Sequence, residues 1–162
     1  MSEGEHGGVA TRRDALKIAG VLITGCFGVH VTPDPANADS AEMRAAVAGV
    51  VGEARVNVGR VKLDIPPLVE NGNTVPCTVT VESPMTAADH VKAIHVFAER
   101  NPQPYVISVR LGPRAGRASI STRVRLRDSQ NVLAIAEMSD GSFWSDRANV
   151  IVTIGACLED VL

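Results

Sequence analysis

The chain has 162 residues, 16 Lys and Arg against 18 Asp and Glu, and a formal charge of −2. That length suits one domain, or one domain with a tail, and the near-neutral charge removes the electrostatic basis for a nucleic-acid binder, which needs a basic excess to displace counterions. Apolar residues at 45% argue against disorder, and aromatics at only 3% leave the core to Val, Ile, Leu and Ala.

Residues 1–38 read as an export signal. Arg12 and Arg13 stand ahead of a moderately apolar stretch from Ile18 to Val29, the arrangement of a twin-arginine signal peptide. Ala15 occupies the place where a bulky residue is usual. Cleavage is expected after Ala36-Asn37-Ala38, which offers small residues where the peptidase needs them. Ile23-Thr24-Gly25-Cys26 resembles a lipobox, so lipidation at Cys26 is the competing ending. Either ending places the protein outside the cytoplasm, with the periplasm as the expected compartment. No uninterrupted apolar run reaches about 18 residues, so no membrane span is expected.

Residues 39–162 form the expected mature domain. Ser40 to about Val51 is its helical stretch: Ser40 suits the N-cap, Glu42 the first turn, and Gly52 the stop. Seven strands follow, at roughly Arg60–Ile65, Thr74–Glu82, Val91–Glu99, Tyr105–Leu111, Ala118–Arg127, Val132–Met138 and Ala148–Gly155. Turn residues separate them, including Pro66-Pro67, Glu70-Asn71-Gly72-Asn73 and Asp140-Gly141. Val75, Cys77, Val79 and Val81 alternate with Thr78 and Thr80, and Ile120, Thr122, Val124 and Leu126 with Ser121, Arg123, Arg125 and Arg127. One dry and one wet face per strand means an all-β fold of antiparallel sheets packed as a sandwich.

Few residues of the mature part carry chemistry. His90 and His95 are five apart, which in a regular strand puts them on opposite faces, so no metal site is expected from them. No G-x-S-x-G elbow is present, and no enzyme activity or cofactor is expected. Cys77 sits mid-strand among valines and reads as a buried, inert thiol. Cys157 differs: it follows the last strand, with Gly155 and Ala156 diluting the chain just before it. It is either a thiol on a short terminal arm, able to visit other proteins, or a packed end of the strand.

Many segments in one order resemble the SoxY family of bacterial sulfur-oxidation (Sox) systems. They include Asp64-Ile65-Pro66, the stretch from Glu70 to Pro76, the stretch from Ser83 to His95, and Asn101-Pro102. They continue through Ser121 to Leu126, Ala134 to Trp144, and Val152-Thr153-Ile154-Gly155 ahead of a C-terminal Cys. The resemblance implies an immunoglobulin-like sandwich and a heterodimer with a SoxZ-like subunit. It implies a periplasmic carrier, not an enzyme, with thiosulfate-derived sulfur held covalently on Cys157. Partner Sox enzymes would load, hydrolyse and oxidise that sulfur. The alternative is an exported sandwich that only binds or scaffolds.

The family's arm commonly reads Gly-Gly-Cys-Gly-Gly, whereas this chain ends Gly155-Ala156-Cys157-Leu158-Glu159-Asp160-Val161-Leu162. Fewer glycines stiffen the arm, and Glu159 and Asp160 disfavour a neighbouring thiolate.

Overall fold

Helix α1 (Ala41–Val51) starts where the sequence places it. Ser40 Oγ accepts the Met43 N–H at 3.1 Å and donates to the Glu99 carbonyl at 3.1 Å, so one hydroxyl both caps the helix and ties it to a distant loop. Gly52, at φ +60°, turns the chain out of the helix while its N–H bonds the Ala48 carbonyl. Ser40→Ala is expected to cost about 1 kcal/mol, read as a lower urea midpoint with an unchanged slope.

This computed structural model describes residues 40–154. The export signal expected over 1–38, Cys26, and the arm residues Gly155, Ala156 and Cys157 lie outside the described residues.

Among the described residues nine strands follow α1: β1 (Val56–Val58), β2 (Val61–Asp64), β3 (Leu68–Asn71), β4 (Val75–Val81), β5 (Val91–Ala98), β6 (Tyr105–Arg110), β7 (Ala118–Val124), β8 (Gln130–Met138) and β9 (Phe143–Ile154). The larger sheet runs β1-β9-β8-β5-β6, with β3 also pairing β9; the smaller sheet runs β2-β4-β7. The two sheets pack face to face, giving the expected all-β immunoglobulin-like sandwich. β8 and β9 form a hairpin with Glu137 opposite Phe143. Gly141 takes φ +83° in its turn. Asp140 Oδ1 accepts from the Ser142 hydroxyl and backbone N–H, which holds its carboxyl below the usual carboxylate range.

Between the sheets the core is aliphatic. Val75, Cys77, Val79 and Val81 of β4 meet Val91, Ile94, Val96 and Ala98 of β5 and Val132, Ala134, Ala136 and Met138 of β8. The outer face of the larger sheet is covered in part by α1, where Met43 packs with Phe97, Leu133, Ile135 and Phe143. β5 and β8 are therefore buried on both sides, which is why they read as nearly continuous apolar runs.

All seven expected strands have a counterpart, but two short ones were not anticipated. β1 and β3 both run parallel to β9, covering successive halves of one edge: Val56 to Val58 against Phe143 to Ser145, and Leu68 and Val69 against Ile151 and Val152. They are short and partly polar, and only pairing with β9 defines them. Part of Glu70-Asn71-Gly72-Asn73, expected to be a turn, is the end of β3. β9 starts at Phe143 rather than near Ala148, because its first residues are paired on both sides, by β1 and by β8.

Candidate functional site

The expected substrate-bearing residue is Cys157, and the described residues define the ground from which its segment departs. The last turns of β9 are held from both edges. The Val152 N–H donates to Ser129 Oγ at 2.9 Å on one side, and Thr153 Oγ1 donates to the Glu70 carbonyl at 3.0 Å on the other. Ile154 closes the ladder opposite Asn71. Cys157 follows Ile154 by three residues, so chain connectivity alone keeps it within on the order of 10 Å of the sheet end. Around that end Leu68, Ile151 and Ile154 are exposed apolar side chains, and Leu68 lies directly opposite Ile151.

Cys77 is a free thiol in the middle of β4, 1% exposed, facing the aliphatic core. Burial, helped by the Asp64 carboxylate, pushes its pKa up to about 11. Both effects disfavour the thiolate, the form that reacts. In native protein, Cys77 is expected to stay unlabelled by a maleimide or iodoacetamide at pH 8 over hours and to label fully in denaturant. Rapid native labelling of Cys77 in a Cys157→Ser background would contradict this burial.

His90 and His95 are engaged separately. His90 precedes β5, and its Nδ1 lies 3.1 Å from the Thr86 carbonyl. His95 lies on the outer face of β5, with Nδ1 2.6 Å from the Tyr105 hydroxyl. The parity rule for the two histidines assumes a regular strand, and β5 is not regular. A bulge between Val91 and Ala93 puts both Val91 and Ile94 into the core although they are three apart. Among the described residues no group of three or more His, Cys, Asp or Glu side chains is placed to hold a metal ion.

His95 has a consequence for stability. Its pKa is lowered from 6.5, chiefly by burial, with Glu137 opposing and Arg110 adding to the shift. The unfolded chain therefore binds a proton that the folded chain refuses. Stability contributed by neutral His95 is complete above pH 6.5 and is lost as pH falls from there through the lower folded value. The urea midpoint is expected to fall on acidification from pH 7.5 to 5, and to fall less in His95→Gln. Equal drops in both proteins would remove His95 as the cause.

Comparison with known proteins gives the site its context. Residues 47–157 match the family model described as sulfur oxidation protein SoxY, and the matched segment ends on Cys157. The sulfur carrier protein SoxY from Chlorobium limicola f thiosulfatophilum has a similar structure, with a TM-score of 0.59 and 25% identity, covering 70% of this chain and 97% of that one. A superoxide reductase (neelaredoxin) from Ignicoccus hospitalis is similar at a TM-score of 0.52 and 18% identity, covering 67% of this chain and 90% of its own. The superoxide reductase from Nanoarchaeum equitans gives 0.51 and 10%, covering 59% and 100%. These two likenesses show the fold alone. Among curated proteins, none matches the chain. No helix among the described residues is long and apolar enough to cross a membrane. With more than half of its length matched to that family model, the chain belongs to the SoxY family of sulfur oxidation proteins.

Proposed function

We propose that this protein is a periplasmic sulfur carrier that holds sulfur intermediates covalently on Cys157 and works as a complex with a SoxZ-like subunit. The observation that carries the reading is the contrast between the two thiols of the mature chain. Cys77 is sealed between the sheets, whereas Cys157 ends the family match three residues past β9. Export by the twin-arginine route, with cleavage after Ala38, belongs to the same reading.

In this reading the Cys157 thiol and the terminal sulfur of thiosulfate form an S–S bond. The thiol loses its proton, and two electrons pass to an oxidising partner enzyme. Water then cleaves the bond between the two sulfurs of the former thiosulfate, releasing sulfate and a proton and leaving a persulfide on Cys157. The carrier presents the sulfur, and the partner enzymes do the chemistry. The exposed Leu68 and Ile151 pair supports a second subunit seated near the end of β9, since an exposed apolar pair on paired strands gives a partner something to bury.

The test is the intact and peptide-mapped mass of the protein isolated from the periplasm of thiosulfate-fed cells, with and without reductant. A reductant-labile sulfur adduct on the peptide containing Cys157 is the expected result. An unmodified thiol under those conditions would overturn the carrier reading in favour of an exported scaffold. The N-terminal peptide of the same sample reports cleavage after Ala38 or lipidation at Cys26.

A further inference from the structure

The outer face of the larger sheet is only partly covered by α1. Beside Gly49 and Val50 of the helix, a cavity of about 620 Å³ opens over β5, β6 and β8. Its polar side chains are Lys92, His95, Tyr105, Ser108, Arg110 and Glu137. The strand register explains why they converge. Arg110 and Glu137 both lie opposite Ala93, and Ser108 lies opposite His95. The Ala93 methyl leaves open a row that a larger side chain would fill.

The charges do not cancel. Among the described residues Glu137 is the cavity's one carboxylate, and it is paired with the Lys92 ammonium. Arg110 forms no ion pair among the described residues, so its guanidinium is uncompensated. His95 is 7% exposed, and its Nε2 is buried with no hydrogen-bond partner. Nδ1 is engaged by the Tyr105 hydroxyl at 2.6 Å, so Nε2 is the ring nitrogen left without a partner. A buried polar atom left without a partner is destabilising. Among the described residues the cavity thus gathers one net positive charge and the donors of Lys92, Ser108 and Arg110, and its acid is already paired with Lys92. That chemistry rejects a cation and selects an anion rich in acceptor oxygens.

We propose that this cavity binds a small divalent oxyanion, of which inorganic sulfate, thiosulfate and phosphate share the chemistry, with Arg110 supplying the charge and the Ser108 hydroxyl a neutral donor. The proposal does not depend on the carrier reading, because the cavity's polar residues lie on β5, β6 and β8 and none lies on β9, the strand that leads to Cys157. The full chain carrying Cys157→Ser therefore tests it with covalent sulfur chemistry removed.

The protein would be titrated with sodium sulfate, thiosulfate and phosphate at constant ionic strength, following backbone amide shifts by nuclear magnetic resonance. Saturable shifts centred on Ala93, Ser108 and Arg110, at low-millimolar concentration or below, are expected. Arg110→Gln should weaken the affinity at least tenfold, while Arg100→Gln, on a cation paired elsewhere with Asp128, should leave it unchanged. Non-saturating shifts, shifts matched by chloride, or an Arg110→Gln protein that binds as the parent does would each overturn the proposal. Comparing the three anions then separates a site for sulfur oxyanions from one for phosphate.

Discussion

Cys157→Ser is expected to abolish the sulfur adduct completely and to leave folding untouched. A serine hydroxyl cannot form the S–S bond, so the loss is total rather than graded. Folding should be unaffected because the aliphatic core and the two edge pairings of β9 are complete by Ile154. The other thiol cannot substitute: Cys77 is buried and its pKa is pushed up to about 11, so it offers neither access nor thiolate. The checks are the mass of protein recovered from thiosulfate-fed cells and the urea midpoint of the same variant. Adduct persisting in Cys157→Ser would move the attachment point elsewhere and end the carrier assignment at this residue. A companion change refines it. Glu159→Gln with Asp160→Asn should speed alkylation of Cys157 several-fold at low salt, and added salt should erase most of the gain, because screening suppresses exposed like-charge repulsion.

Phe97→Ala should have the largest effect on stability, about 3–5 kcal/mol. Phe97 is fully buried on the helix side of β5. It stacks on Tyr105 with ring centroids 4.9 Å apart and planes 14° from parallel. Its removal leaves a void among Met43, Leu133, Ile135 and Phe143, and a sheet cannot collapse to fill a gap on its own face. Against a typical total of about 5–15 kcal/mol, that loss would leave a marginal fold. Val58→Ala is the control: Val58 is 86% exposed, and its truncation should stay within about 0.5 kcal/mol. Urea unfolding of both variants measures this. A Phe97→Ala cost near that of Val58→Ala would show that α1 and its cluster are not part of the cooperative unit. Because Tyr105 also holds His95 Nδ1, Phe97→Ala should loosen the oxyanion cavity as well as the helix.

Much of this protein is written locally. Alternation along β4 determines which face is dry, since each of its inward positions is Val or Cys and its outward ones are Thr or Pro. Ser40 and Gly52 mark the ends of α1 because capping is a property of one turn of backbone. The core position of Cys77 follows from the same alternation, and the order of the family segments points to SoxY without any coordinates. Tertiary structure alone decided the rest, because it depends on partners distant in sequence. β1 and β3 exist as strands only because β9 offers them an edge, and nothing in Val56-Asn57-Val58 announces that. The bulges in the pairing of β5 with β6 and β8 break the period of two, so sequence parity misplaces side chains across them. Tyr105, Ser108 and Arg110, spaced three and then two apart, reach the same face as His95 for that reason. Whether a polar side chain is satisfied or orphaned is settled by register and packing, which is why the unpartnered Nε2 of His95 and the cavity around it are visible only in the folded chain.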